Sequence, residues 1–298
     1  MTSTQFCTLI LLSILLFGCS NEDDADNQNN LNQRVNTIVH DGESREYILY
    51  VPESYDGTFD VPLMLNFHGF GGDISSYMEY ADMRPQAESE KFILIYPQGT
   101  LMDGFSHWNP SLPHADNKSN ADDLGFIEAL ISELSTDYMI DTKRIYACGY
   151  SNGAMMSYGL ASHKSELIAA VGSISGTMLD TDSIPSHSMP VIIIHGTSDS
   201  VLPYNGNSEF NSVEMVVNYW VNFNDANTTP ITNTIEDNGT NIVHYQYTQG
   251  LGSVSVEHYK IVEGKHVWFN LNYQESNTSD LIWNFVSRYD TEGLREEI

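Results

Sequence analysis

A single pentapeptide, Gly149-Tyr150-Ser151-Asn152-Gly153, restricts the folds open to this chain more than any other segment. It follows the apolar run 144–148 and precedes the helical pattern of 154–158, so it predicts a strand, a tight turn centred on Ser151 and a helix. Glycines on both sides of the serine let the two backbones approach closely, and such a turn exposes the hydroxyl beside the next amide. The pattern indicates a nucleophile elbow and acyl-transfer chemistry at Ser151. A chance Gly-x-Ser-x-Gly loop is the alternative, and the strand-then-helix context disfavours it.

Two later loops offer the base and the acid that a serine nucleophile requires. Asp199 lies just past the apolar run 191–194, and His266 lies just past the strand predicted for 254–262. The order Ser, Asp, His along the chain is that of the α/β-hydrolase arrangement. We therefore predict a triad of Ser151, Asp199 and His266. A turn-capping aspartate and a surface-loop histidine are the alternatives for the last two, and the strand-end positions disfavour them.

Other acids and histidines fit these roles less well. Asp180 and Asp182 are the alternative acids, in a loop rich in Ser, Thr and Asp. His195 closes an apolar strand and is interpreted as a packed residue, His258 alternates within a strand, and His163 ends a predicted helix. None of them combines the loop position and the chain order that the triad requires.

A glycine-rich turn follows the apolar strand predicted for 62–67, in the segment His68-Gly69-Phe70-Gly71-Gly72-Asp73. Backbone N–H groups exposed in such a turn can bind the negative oxygen of a tetrahedral intermediate. The predicted donors are the amide of Phe70, or of a neighbouring loop residue, and the amide of Asn152. Alone the segment would equally suit a plain turn between a strand and a helix. Followed by an elbow, an acid and a histidine in order, it indicates an oxyanion hole.

These motifs resemble those of a group of secreted α/β-hydrolases, the polyhydroxybutyrate depolymerases, feruloyl esterases and acetylxylan esterases of the carbohydrate esterase family 1 type. The resemblance extends along most of the chain, over the segments 45–52, 65–69, 95–99, 123–127, 144–156, 195–199 and 264–268. It implies Ser151 as nucleophile, Asp199 as acid and His266 as base. Members usually carry a Gly-Gly-x-His-x-Trp-Pro loop, whereas Glu263 replaces one glycine here and Phe269 follows the tryptophan.

The charge balance excludes several classes of partner. The chain has 12 Lys and Arg against 40 Asp and Glu, a formal net charge of −28. Such a surface repels nucleic acids and anionic membranes and favours neutral or cationic substrates. The three cysteines, Cys7, Cys19 and Cys148, allow no disulfide framework in the domain, and Cys148 is expected in the core. No Cys/His spacing suggests zinc, and no nucleotide-binding glycine loop is present, so we predict neither a metal nor a cofactor.

The N-terminal segment predicts export. Residues 9–17 are apolar over the length of a signal-peptide core, and Leu16-Phe17-Gly18-Cys19 resembles a lipoprotein signal. No Lys or Arg precedes the apolar run, which departs from the usual export signal. We predict a signal peptide over 1–18, lipidation and membrane anchoring at Cys19, and an acidic tether over 19–34. The enzyme would act extracellularly or at the outer-membrane surface.

The remaining pattern predicts one α/β domain over 35–290 with a tail at 291–298. Strands alternate with helices, which is typical of a mostly parallel sheet covered on both faces, and no segment is long enough for a lid domain. Aromatic residues near the strand ends, Trp108, Tyr150, Tyr204 and Trp268, are the predicted substrate contacts, although ordinary packing is about as good an explanation for each. The loop 99–120 is expected to shape one side of an open cleft. An exported serine esterase acting on a polymeric ester is the favoured hypothesis, against a serine peptidase of related fold or a silent binding protein.

Overall fold

The computed structural model describes residues 34–114, 117, 119–237 and 239–296. The α-helices of this part of the chain are α1 (Ile74–Tyr80), α2 (Arg84–Glu90), α3 (Asp123–Asp137), α4 (Asn152–His163), α5 (Val213–Phe223) and α6 (Thr278–Val286). The strands are β1 (Val35–His40), β2 (Glu43–Tyr50), β3 (Val61–Phe67), β4 (Ile93–Pro97), β5 (Thr100–Met102), β6 (Phe105–His107), β7 (Ile140–Tyr150), β8 (Ala170–Ile174), β9 (Val191–Gly196), β10 (Ile231–Asp237), β11 (Thr240–Tyr247), β12 (Val256–Ile261), β13 (Tyr289–Asp290) and β14 (Gly293–Leu294).

One ten-stranded sheet organises the fold, in the order β1-β2-β4-β3-β7-β8-β9-β12-β11-β10. The six central strands from β4 to β12 run parallel, and two antiparallel strands flank them at each edge. The central strands β3, β4, β8 and β9 are buried along their whole length, as their continuous apolar sequences require in a sheet covered on both faces. The predicted α/β-hydrolase architecture is confirmed.

Helices cover the sheet on two faces, and side-chain alternation along each strand decides which face a residue joins. Leu63 and Leu65 belong to a buried cluster with α3, α4 and α5, whereas Met64 belongs to a second cluster with α1, α2 and α6. The parallel central strands send their C-terminal loops to a common edge. The loops after β3, β7, β9 and β12 therefore meet there, and they carry the predicted site residues.

Two hairpins differ from the sequence expectations. β10 pairs with β11 beyond the predicted strands, and it is exposed along most of its length, so it has no apolar face for the hydrophobic pattern to detect. The loop 99–120 contains the hairpin β5–β6, whose turn residues Asp103 and Gly104 have φ values of 53° and 85°, as a type I′ turn needs.

The segment 291–298, predicted as a tail, begins with ordered structure. β13 pairs with β14, the amide of Thr291 donates to the carbonyl of Lys143, and the amide of Arg295 donates to that of Arg288. The folded domain therefore continues past residue 290.

The predicted signal peptide, Cys19 and nearly all of the tether lie outside the described residues. Within the described part, no helix is both long and apolar enough to cross a membrane.

Candidate active site

Ser151 lies at the predicted elbow between β7 and α4. Its φ of 57° and ψ of −119° are unusual for a residue with a side chain, so the turn is strained. The flanking glycines permit it, because a Cβ on Gly153 would lie 2.0 Å from the carbonyl oxygen of Phe67, and one on Gly149 would lie 2.5 Å from the backbone of Gly153. Strand β3, the end of β7 and the first turn of α4 thus approach more closely than any larger residue would allow.

A continuous hydrogen-bonded chain joins Ser151, His266 and Asp199. Ser151 Oγ lies 2.9 Å from His266 Nε2, and His266 Nδ1 lies 2.7 Å from Asp199 Oδ2. Since a carboxylate only accepts, Nδ1–H donates to Asp199, and Nε2 is left to accept from the serine hydroxyl. The structure therefore brings together the three residues that the sequence pattern selected, across separations of 67 and 115 positions.

The Asp199 carboxylate is inaccessible to solvent and fully engaged. The amides of Val201 and Leu202 each donate to Oδ1 at 2.9 Å, and His195 Nε2 lies 3.3 Å from Oδ2. Burial alone would raise the pKa of Asp199, but hydrogen bonds from His195, His266 and the two amides outweigh burial and hold that pKa well below its usual range. Asp199 is therefore ionised and fixed in orientation.

His195 is buried, as its strand-end position predicted, and it also touches the acid. Its Nε2 lies 2.9 Å from the Leu202 carbonyl, so Nε2–H is shared between this carbonyl and Asp199. The four-residue spacing in His195-Gly-Thr-Ser-Asp199 was the available signal for this contact. The alternative acid Asp180 instead accepts from the Ser183 hydroxyl at 2.8 Å.

The glycine-rich segment after β3 is held by His68. Gly99 N–H and Gln98 Nε2–H both donate to His68 Nε2 at 3.0 Å, so the ring proton sits on Nδ1 and donates to the Gly69 carbonyl at 2.7 Å. Burial lowers the pKa of His68 to about 4, which keeps the ring neutral. Gly72 N–H donates to the same carbonyl at 3.0 Å.

The Gly69 carbonyl and the Phe70 amide belong to one peptide unit, and fixing the first fixes the second. The amides of Phe70 and Asn152 donate to no group of the described residues, and both flank Ser151. The Asn152 side chain has a separate role: its Oδ1 accepts from Trp108 N at 2.7 Å, and its Nδ2 donates to Trp108 O at 3.0 Å. This pair fastens the loop after β6 to the start of α4, a contact that the sequence pattern did not indicate.

The predicted aromatic contacts are mostly structural. Trp108 is only 2% exposed and donates from Nε1 to the His68 carbonyl, but it also lines the cavity beside Ser151. Trp268 is buried against Tyr77. Tyr204 bonds to His258 at 2.8 Å and does not line the cavity beside Ser151. These rings pack against other residues of the domain, because the strand-end loops that carry them lie against the core.

Tyr150 and Phe70 also reach the site. Tyr150 lies over His266 with ring centroids 5.0 Å apart and donates from its hydroxyl to the His266 carbonyl. Phe70, whose amide is the predicted oxyanion donor, is 53% exposed and stacks on Phe105 of β6. The exposed aromatic surface beside the elbow therefore comes from the oxyanion segment and the β5–β6 hairpin.

A cavity of about 820 Å³ opens beside Ser151. Residues of the loop 99–120 form one wall, as predicted, and the loop after Asp199 forms another. The apolar residues of the lining are Phe70, Met102, Trp108, Pro110, Met155, Leu179, Val201, Leu202 and Phe210. The polar side chains include Asn109, Asn117, Ser119 and Glu209. We call this space the acyl cavity.

Glu263 takes the place of a glycine that is usual in the loop before the histidine, and its φ is 60°. Glycine adopts this left-handed backbone conformation at the least cost, which explains why glycine is usual at this position. His266 still reaches Ser151 with Glu263 in its place. Among the described residues, one group of possible metal ligands, His40, Asp41 and Asp122, has ligand atoms within 4.8 Å of one another. This group lies at the β1–β2 turn and the start of α3, and it contacts no triad residue.

Comparison with known proteins agrees with this geometry. The phospholipase/carboxylesterase family model matches residues 62–229, more than half of the chain. A bifunctional acetylxylan esterase/xylanase of Neocallimastix patriciarum is 28% identical over 257 residues, which cover 85% of this chain and 34% of that protein. Feruloyl esterase C of Emericella nidulans is 27% identical over 209 residues, covering 66% of this chain and 72% of the relative. The chain thus spans only a third of the first of these relatives.

Solved structures share the fold. The acetyl xylan esterase from Aspergillus awamori superposes with a TM-score of 0.60 at 16% identity, over 85% of this chain and 99% of that one. A thermostable esterase superposes with a TM-score of 0.56 at 18% identity, over 87% of this chain and 63% of that one. The elbow, the sheet order and the family match lead to one conclusion: this chain belongs to the phospholipase/carboxylesterase family of α/β-hydrolases.

Proposed function

We propose that this protein is a serine ester hydrolase in which Ser151 is the nucleophile, His266 the general base and Asp199 the group that orients it. The observation that carries the proposal is the unbroken hydrogen-bonded chain from Ser151 Oγ to Asp199 Oδ2, with Ser151 in the wall of the acyl cavity. Free backbone amides beside a nucleophile are the feature that acyl transfer needs for its oxyanion.

The proposed reaction has two halves. His266 Nε2 takes the proton of Ser151 as Oγ attacks the ester carbonyl, and Asp199 stabilises the imidazolium that forms. The amides of Phe70 and Asn152 bind the oxyanion. Nε2–H then protonates the departing alcohol oxygen, which leaves the acyl group on Ser151. In the second half, His266 takes a proton from a water molecule as its oxygen attacks the acyl carbonyl. The bond to Ser151 Oγ then breaks, Oγ receives the proton, and the carboxylic acid is released.

The proposed substrates are feruloyl or acetyl esters of plant polysaccharide, with hydroxybutyrate polyester as the next candidate. The relatives named for acetylxylan and feruloyl esters support this class. The acyl cavity has room for the feruloyl group, the larger of the two, because its volume of about 820 Å³ lies in the range of pockets that bind drug-sized ligands. Its apolar walls match a ring, and its few amide and hydroxyl groups match phenol and methoxy substituents.

Export and lipid anchoring at Cys19 are proposed on the sequence alone, from the apolar segment 9–17 and the residues before Cys19. Metabolic labelling of the expressed full chain with a radioactive fatty acid tests the anchor. Label in the wild type and none in Cys19→Ser supports it, and equal label in both contradicts it.

Steady-state kinetics of the full chain test the reaction. We expect turnover of methyl ferulate, acetylated xylo-oligosaccharide or a hydroxybutyrate trimer, and none above background in Ser151→Ala. Asp199→Asn should lower kcat by roughly 10⁴-fold, since it removes the acceptor that sets the His266 tautomer. Asp182→Asn, at the exposed alternative acid, is the matched control and should retain wild-type kcat.

The preferred ester among the three identifies the acyl group, and preference for methyl ferulate supports the feruloyl assignment. Equal loss of activity in Asp199→Asn and Asp182→Asn would contradict the assignment of the acid. Failure of the wild type to turn over any ester, together with failure to react with an organophosphonate probe, would instead support a silent binding protein.

A further inference from the structure

A second cavity adjoins the acyl cavity on the other side of the oxyanion segment. It has a volume of about 370 Å³, and Phe70 lines both spaces. Gly69, whose peptide carries the Phe70 amide, is part of its wall, together with the side chains of Asp73, Ser76, Tyr80 and Tyr150. The two cavities therefore flank the position that the proposed function gives to the reacting carbonyl.

The second cavity lies on the His266 side of this position. Tyr150 donates to the His266 carbonyl at 3.0 Å, and its ring lies 5.0 Å from that of His266. Tyr80 accepts from Trp268 N at 2.7 Å and meets Tyr150 edge-on at 5.8 Å. Both tyrosines thus pack against the loop that presents the histidine. The acyl cavity, in contrast, is bounded by α4 and the loop 99–120.

Ester cleavage divides the substrate into two parts that lie on the same two sides of the reacting carbonyl. The acyl group stays on the serine, whereas the alcohol oxygen must lie near His266 Nε2 to receive its proton. Resting on the proposed function, we infer that the second cavity binds the alcohol part of the ester, and that this part is a sugar unit.

The chemistry of the walls favours a sugar over a polyester. Asp73 is exposed, and its carboxylate accepts from the Ser76 amide through Oδ1, so Oδ2 is the oxygen offered to a ligand. Ser76 is also exposed and adds a hydroxyl. A sugar offers many hydroxyl donors to these groups, whereas a hydroxybutyrate chain offers only ester oxygens along its length. Tyr80 is 48% exposed, so its ring is available for stacking on the apolar face of a sugar. The same carboxylate would repel an acidic alcohol.

A cavity-filling substitution tests the assignment. Ser76→Phe places a ring in the second cavity, and Ser75→Phe, at the exposed neighbour on α1 that does not line it, is the matched control. The readout is the ratio of kcat/KM for a feruloylated arabinose to kcat/KM for methyl ferulate, which has no sugar. We expect this ratio to fall about tenfold in Ser76→Phe, the loss of a few contacts, and to stay at the wild-type value in Ser75→Phe.

Tyr80 gives an independent variant pair. Tyr80→Ala removes the ring and should lower the same ratio, whereas Tyr80→Phe keeps the ring and loses only the contact to Trp268 N, so its ratio should stay near that of the wild type. An unchanged ratio in both Ser76→Phe and Tyr80→Ala, with both esters turned over, would overturn the sugar site and leave the proposed function standing. Turnover of neither ester by the wild type would overturn the proposed function and the sugar site with it.

Discussion

His68 holds the proposed oxyanion segment through hydrogen bonds at both of its ring nitrogens. Nδ1–H fixes the Gly69 carbonyl, and Nε2 accepts from the buried Gly99 amide and from the Gln98 side chain. His68→Phe keeps a ring of similar size and removes these hydrogen bonds. The orphaned Gly99 N–H should cost about 1–3 kcal/mol of unfolding free energy, which corresponds to a fall in Tm of several degrees in a domain of this size. Since the Phe70 amide shares a peptide unit with the Gly69 carbonyl, kcat should also fall by ~100- to 1000-fold, the usual effect of one lost oxyanion donor.

Two conservative variants separate these effects. An asparagine amide can occupy the place of Nδ1, so His68→Asn should keep kcat near the wild-type value and lose stability. A glutamine side chain reaches the place of Nε2, so His68→Gln should keep stability and lose kcat. The assay is kcat and KM on methyl ferulate well below Tm, with Tm from circular dichroism. Equal kcat in the asparagine and glutamine variants, or a kcat for His68→Phe within threefold of the wild type, would refute this account of the loop.

Two further predictions concern stability. Ser151 carries a positive φ that costs about 1–3 kcal/mol, so Ser151→Gly should unfold at a higher temperature than Ser151→Ala, which keeps the strain, and the reverse order would contradict it. Burial lowers the pKa of His258 from its ordinary 6.5 to about 3, so the unfolded chain binds a proton that the folded chain does not, and stability falls as pH drops from 6.5. Between pH 6.5 and 5 this term is about 2 kcal/mol, and urea unfolding of His258→Gln should show a correspondingly weaker loss than the wild type.

The turn at Ser151 could be predicted from the sequence because its backbone conformation requires particular residues at neighbouring positions. A serine between a strand and a helix, with glycines two residues away on each side, describes a turn that few other arrangements need, and the observed φ of Ser151 and the contacts of Gly153 supply the reason. Asp199 and His266 were found by the same logic, since each follows an apolar strand. The Asp103-Gly104 hairpin carried an equally local signal that the loop interpretation missed.

The exposure of the aromatic side chains could not be predicted from the sequence in this way. Trp108, Trp268 and Tyr204 fit a cleft as well as they fit a core on sequence alone, and the packing of distant elements assigned them to the interior or to other contacts. Likewise, nothing near His68 in the chain reveals that Gly99, 31 residues away, donates to its ring. Such pairings depend on which strands become neighbours.

The sequence by itself determined the strand-turn-helix at Ser151, the parallel sheet and the positions of Asp199 and His266 after strands, because each follows from local backbone geometry and hydrophobic periodicity. Only the tertiary structure decided that Asp199 and His266 lie 2.7 Å apart, because β9 and β12 pair directly although β10 and β11 separate them in the chain. It also decided which aromatic rings face the solvent, and that Phe70 divides two cavities. These are contacts between segments distant in sequence, and no local pattern specifies them.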